Sequence, residues 1–185
     1  MITFSDQPLS LESIVAKCRP RVCDSSDRKA VLRALERFDA FEATRRKARA
    51  IRTAIEAEDE LGELGVKISP TLREKALEQF NPEAVAELQG VLWSENCRRL
   101  ESEAGPVIAR AHSRMAQRLT KAAEELHATQ EKLLEPFGLE AETSSAEREL
   151  HAAAGWFRDT AARKISLESQ ENPRRCLSES FGDPL

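Results

Sequence analysis

The chain has 185 residues, of which 32 % are charged and 5 % aromatic, and its formal net charge is -4. This length suits one domain rather than two, and such a charge-rich, aromatic-poor composition is typical of long helices and coiled coils rather than β-sheets. The negative charge argues against a protein that binds nucleic acid with its whole surface, although a local basic patch is compatible with it.

The sequence predicts neither export nor membrane insertion. The opening stretch MITFSDQPLSLES lacks the basic and apolar regions of a signal peptide, and no apolar run reaches the roughly 18 residues of a membrane span. The four cysteines are scattered, without the regular spacing of a disulfide framework, so we expect reduced thiols. They are Cys18, Cys23, Cys97 and Cys176. We therefore expect a cytoplasmic protein with no membrane partner, and the excess of arginine over lysine favours a bacterial or phage source.

Residues 1–26 are predicted to form an N-terminal arm with a short helix. Its apolar residues allow about two helical turns before Pro20 ends them; they are Leu9, Leu11, Ile14 and Val15. Asp24 and Asp27 resemble a capping pair, so a long helix should begin near Ser25.

The first long helix is predicted to run to about Leu64. An apolar seam repeats along it every seven residues, a spacing that predicts a left-handed supercoil with a partner helix. The seam consists of Ala34, Phe38, Phe41, Thr44, Ala48, Ile51 and Ile55.

Gly62 and Gly65 supply stop signals, and two later pairs supply start signals. Ser69 with Pro70 predicts a short helix to about Phe80, and Asn81 with Pro82 predicts the start of the next helix.

That helix meets Gly105 and Pro106, a pair that ordinarily ends a helix. One apolar spacing nevertheless continues on both sides, which favours a kinked continuous helix over two separate ones, although both readings remain open. The seam comprises Leu100, Ala104, Ile108, Ala111, Met115, Leu119, Ala122, Leu126, Leu133 and Phe137, with Gln130 as its one gap.

Pro136 and Gly138 are predicted to close this element. Ser144 with Glu147 then forms a capping box that opens a last helix, which should end near Leu167. Residues 169–185 are polar and proline-containing, so they are predicted to be a disordered tail.

Charged residues flank both seams in the same order, basic and then acidic. Two such helices match when they are antiparallel, so the order favours antiparallel pairing, within one chain or between two copies. A solvated charge face is the alternative. The candidate interaction residues are Arg45, Arg49, Arg52, Glu56 and Asp59 on the first helix, and Arg110, Arg114, Arg118 and Lys121 on the second.

Motifs that impose catalytic geometry are missing from the sequence: there is no glycine-rich phosphate loop, nucleophile elbow or His-Glu-x-x-His. Cys18 and Cys23 are a weak metal or redox pair, and Glu124 with His127 gives one Glu-x-x-His where a di-metal centre needs two. The three histidines are interpreted as surface or seam-edge residues; they are His112, His127 and His151. We expect no catalytic, cofactor or metal site, and hence no enzyme.

The sequence as a whole predicts an all-α protein of long antiparallel helices, forming a coiled-coil hairpin or an elongated three- to four-helix bundle over residues 27–168. The predicted core comprises Phe38, Phe41, Ile51, Ile55, Leu92, Trp93, Leu100, Ile108, Met115, Leu119, Leu126, Phe157 and Ile165. The expected function is non-enzymatic protein interaction, as a structural or assembly-scaffold protein with a helical partner, either itself in a homodimer or another protein. The alternative is a regulator that binds nucleic acid non-specifically through the basic helix halves.

Overall fold

A computed structural model describes residues 10–47, 62–65, 69–71, 74, 82–163, 165–167 and 172–181. Among these residues the longer elements are five α-helices: α1 (Leu11–Cys18), α2 (Ser25–Lys47), α3 (Pro82–Leu134), α4 (Ser145–Ala162) and α5 (Pro173–Phe181). Short 3-10 turns follow α1 and α3, at Arg19–Arg21 and Glu135–Phe137. Within these ranges there is no β-strand, so the predicted all-α class is confirmed.

The predicted start of α2 is confirmed down to its capping atoms. The Asp27 backbone N–H donates to Asp24 Oδ1 at 2.9 Å, and the Asp24 N–H donates back to Asp27 Oδ2 at 3.1 Å. Ser26 donates to Asp24 Oδ1 through both its N–H and its hydroxyl. These donors hold the pKa of Asp24 at about 2, since they favour the ionised carboxylate.

Helix α3 is continuous through Gly105 and Pro106 and is 53 residues long. Pro106 cannot donate a backbone hydrogen bond, which weakens the helix locally. The apolar face compensates for this loss, because Ala104 is fully buried just before the pair and Ile108 is 4 % exposed just after it. Preserved seam spacing was therefore the better guide than the Gly-Pro signal.

The chain divides into two compact units. The first unit contains α1, the start of α2 to Arg28, α3 from Pro106, and α4. Within it α1 packs on α4, and Arg19 lies over the Trp156 ring. His127 contacts Glu147 and His112 packs against Phe157. From the first of these pairs to the second, the α3 residue falls from 127 to 112 while the α4 residue rises from 147 to 157. Helix α4 therefore runs antiparallel to α3.

The second unit contains α2 from Lys29, α3 up to Gly105, and the segment Ile165–Cys176. Arg45 donates to Gln89, Asn96 donates to the Phe38 carbonyl, and Arg37 pairs with Glu103. These contacts place α2 antiparallel to the part of α3 that precedes Pro106. The Phe38 and Trp93 rings pack edge to face at 5.9 Å.

Two helix boundaries differ from the prediction. Helix α4 ends at Ala162 rather than near Leu167, because Arg163 adopts an extended conformation. Inside the tail that the sequence predicts to be disordered, Pro173–Phe181 form α5 and Leu177 is fully buried. Asn172 accepts a hydrogen bond from the Arg175 N–H, so the pair Asn172–Pro173 begins a helix. The domain boundaries 27–168 and 169–185 otherwise stay a prediction.

Most of the predicted core is confirmed where the structure describes it. Trp93, Leu126 and Ile165 are only half-buried. Ile51 and Ile55 lie outside the described residues, as do nearly all of the predicted short helix and the predicted continuation of α2 beyond Lys47. The buried core candidates are Phe38, Phe41, Leu92, Leu100, Ile108, Met115, Leu119 and Phe157.

Candidate protein-interaction site at the end of helix α3

Helix α3 ends in a defined cap. Gly138 has a φ of 67°, in the left-handed region that favours glycine. The Gly138 N–H donates to the Glu135 carbonyl at 3.0 Å, and the Leu139 N–H donates to the Leu134 carbonyl at 3.3 Å. These two bonds form a Schellman motif, which satisfies carbonyls that the helix end leaves free. Pro136 fits here because the chain is leaving the α-helix.

Three large apolar side chains around this cap are exposed. The exposed fraction is 65 % for Leu133, 75 % for Phe137 and 60 % for Leu139. We call these three residues the apolar tip. Leu133 and Phe137 are one helical turn apart, and Leu139 follows Gly138 directly. Isolated exposed apolar residues such as Leu32 and Val91 are ordinary, but three within seven residues are typical of a contact surface.

The segment that carries the apolar tip is acidic. Residues 131–142 contain four glutamates and one lysine, a net charge of -3. All five of these side chains belong to exposed residues. They are Glu131, Lys132, Glu135, Glu140 and Glu142.

The two helices that flank the apolar tip are joined close to it. Ser144 caps α4 by accepting a hydrogen bond from the Glu147 N–H at 3.2 Å, as the capping box predicts. The Glu147 carboxylate, however, faces α3, where its Oε2 lies 3.2 Å from His127 Nδ1. His127 Nε2 lies 3.6 Å from Glu131. The His127 contact with Glu147 therefore ties α3 to the first turn of α4 six residues before Leu133.

Some predicted charged residues are neutralised within their own unit. Arg45 donates to both carboxylate oxygens of Glu42, at 2.7 to 3.1 Å, and its guanidinium lies over Trp93. Arg114 pairs with Asp27 and lies 3.5 Å from Asp24. These contacts assign Arg45 and Arg114 to the packing of their units.

Of the remaining predicted interaction residues, the structure describes the three on α3. Lys121 lies 3.5 Å from Glu125, one helical turn away, and both Arg110 and Arg118 are exposed. Arg49, Arg52, Glu56 and Asp59 fall outside the described residues. The antiparallel charge pairing stays a prediction.

The structure contradicts the prediction for one of the three histidines. His112 is buried at 2 % exposure, contrary to the prediction of a surface or seam-edge residue, because its ring packs against Phe157 and its Nδ1 lies 3.0 Å from the Ile108 carbonyl. His127 is half-buried, and His151 is exposed as predicted.

Both thiols of the Cys18 and Cys23 pair have raised pKa values, which disfavours the reactive thiolate form. Burial, followed by the charge of Asp27, raises the pKa of Cys23 to about 12, and burial also raises that of Cys18. Among the described residues, no three His, Cys, Asp or Glu side chains form a metal-binding group.

Sequence reasoning missed the apolar tip, because Leu133 and Phe137 continue the buried seam of α3 by spacing.

Every helix in the described ranges is too short or too polar to cross a bilayer. Comparison with models of protein families, with curated proteins and with solved structures finds no match.

Proposed function

We propose that this chain is a non-enzymatic interaction protein, a structural or assembly-scaffold component of the cytoplasm, and that the apolar tip is the surface that contacts its partner. The observation that carries the proposal is the exposure of Leu133, Phe137 and Leu139 at one capped helix end. Burying a side chain of this size against a partner contributes about 1.5 to 3 kcal/mol.

The cap supports this proposal, since a rigid surface binds at a lower entropic cost than a flexible one. The Schellman hydrogen bonds fix the backbone between Leu134 and Leu139, and the His127 contact with Glu147 fixes the start of α4. The side chains of the apolar tip are therefore presented on an ordered backbone.

We also propose the arrangement in which long antiparallel helices form a coiled-coil hairpin or an elongated bundle, with oligomerisation through the charged residues that flank the two apolar seams. The antiparallel order of α2 with α3, and of α3 with α4, supports this arrangement within each unit.

The nucleic-acid alternative has weaker support. It requires a cluster of unpaired basic side chains on the surface. Arg45, Arg114 and Lys121 each lie against a carboxylate, and the other two basic candidates in the described ranges are the exposed Arg110 and Arg118.

A photocrosslinker placed at position 137 tests the proposal. The crosslinked protein from the native cell is identified, purified and titrated calorimetrically against the wild type, Phe137→Ser and Val91→Ser. Val91 is the matched control, because it is 50 % exposed on the same helix but lies in the other unit.

We expect Phe137→Ser to weaken binding by about tenfold or more and Val91→Ser to leave it unchanged. Equal affinity of all three proteins for the captured protein contradicts the proposal.

A further inference from the structure

We infer that the apolar tip docks on an apolar surface bordered by lysine or arginine, on a protein other than a second copy of this chain. This inference rests on the proposed function and names the chemistry of the partner.

The charge around the apolar tip carries the inference. Glu135 lies between Leu133 and Phe137 in sequence, and Glu140 and Glu142 follow Leu139 closely. All three glutamates are exposed, so a partner that buries the apolar tip approaches a segment with a net charge of -3. Carboxylates at a rim favour a basic border on the partner, which also accelerates encounter, and they disfavour an acidic one.

A second copy fits this charge poorly. Symmetric docking would bring together two segments of residues 131–142, each with a net charge of -3, so like charges would meet around the apolar contact. Docking on the exposed Arg110 and Arg118 of another copy would be head to tail; such contacts produce rings or open chains. Both arrangements would reveal themselves in the solution mass.

The probes are two synthetic amphipathic helical peptides of equal length with the same leucine face, bordered by lysines in one and by glutamates in the other. Each is titrated into the full chain by fluorescence anisotropy, at low and at high salt. The variants are Phe137→Ser and a triple charge reversal, Glu135→Lys, Glu140→Lys and Glu142→Lys. Glu131 is left unchanged because it lies beside His127.

We expect the wild type to bind the lysine peptide about tenfold more tightly than the glutamate peptide at low salt, with a smaller difference at high salt. The triple reversal should exchange the preference, and Phe137→Ser should weaken binding of both peptides. Circular dichroism of each variant confirms that the fold is retained.

Equal binding of both peptides that depends on Phe137 overturns the inference and leaves the proposed function standing. Binding of neither peptide also overturns the inference, whereas the proposed function is decided separately by the crosslinking experiment. A Phe137-dependent increase in mass by light scattering identifies a second copy as the occupant and overturns the inference as well.

Discussion

His127 Nδ1 lies 3.2 Å from Glu147 Oε2, and this contact joins α3 to the first turn of α4 next to the apolar tip. The Glu147 side chain is only 9 % exposed, so its carboxylate has little access to water. An ionised group in that position needs a polar partner, because burying it alone is costly.

Substitution His127→Leu should therefore reduce the free energy of unfolding by about 1 to 3 kcal/mol, because it leaves the Glu147 carboxylate without its ring partner. Urea denaturation monitored by circular dichroism measures this change. Glu147→Gln and the double variant complete a double-mutant cycle. A coupling energy of zero would show that the contact does not stabilise the helix pair.

The pair formed by Glu42 and Arg45 predicts a larger effect in the second unit. Glu42 is buried, and it also accepts a hydrogen bond from Asn96 at 3.0 Å. Arg45→Met should destabilise the protein by about 2 to 4 kcal/mol, since it leaves a buried carboxylate with one partner fewer. Arg45→Lys should recover only part of this loss, because an ammonium cannot bind both carboxylate oxygens in the same way.

The control for Arg45 is Arg98→Met. Arg98 pairs with Glu95 at the same spacing of three residues, but its side chain is 65 % exposed, so its loss should cost less than about 0.5 kcal/mol. Equal effects of both substitutions in urea denaturation would contradict the assigned role of burial. Charge-reversal tests of the antiparallel pairing should leave Arg45 unchanged, because its loss would destabilise the second unit through the buried Glu42 carboxylate.

Local signals in the sequence predicted the starts of α2 and α4 correctly, because capping requires specific side chains at fixed offsets. Asp24 with Asp27 and Ser144 with Glu147 both lie where this rule places them. The buried seam of α2 was also predictable, since helical spacing identifies the residues that share a face.

Periodicity identifies the apolar face of a helix, but it does not reveal where along that face the packing of a neighbouring helix ends. Leu133 and Phe137 share the spacing of the buried Met115, yet α4 begins only at Ser145, and the end of α3 is left exposed. The same limit explains His112, whose polar ring is buried because Phe157 packs against it. Such contacts depend on which helices meet.

His112 predicts a loss of stability in acid. Burial, with a contribution from Arg19, lowers the pKa of His112 below its ordinary 6.5. The unfolded chain therefore binds a proton before the folded chain does, so the stabilising effect is full above about pH 6.5 and is lost as the pH falls through the folded pKa.

Urea denaturation at about pH 8 and about pH 5.5 should show this decrease. His112→Phe removes the titrating group, and we expect a smaller decrease for it. His151→Phe, at an exposed position, should retain the wild-type decrease. If His112→Phe behaves like the wild type, the acid sensitivity arises elsewhere.

Cys23 should resist thiol reagents in the folded protein. With a pKa raised to about 12 by burial, it forms far less of the reactive thiolate at pH 8 than an ordinary thiol of pKa near 8.5 does. Timed alkylation with iodoacetamide followed by peptide mass spectrometry should find Cys23 modified more slowly than Cys176, which is partly exposed. Denaturation should remove the difference, and equal rates in the folded chain would contradict the burial of Cys23.

Gln130 occupies the one gap in the apolar seam of α3, and its side-chain oxygen is buried without a hydrogen-bond partner in the described part of the chain. An unsatisfied buried carbonyl costs about 1 to 3 kcal/mol. Gln130→Leu restores the seam and removes the unsatisfied group, so it should increase the free energy of unfolding by about 1 kcal/mol.

Gln117→Leu is the matched control, since Gln117 lies on the exposed side of the same helix and should change stability by less than about 0.5 kcal/mol. Urea denaturation of both variants at neutral pH separates restoration of the seam from a general gain in helix propensity. A loss of stability in Gln130→Leu would contradict the view that this oxygen is an uncompensated buried group. A gain for Gln130→Leu alone would show that the unsatisfied oxygen lowers the stability of the first unit.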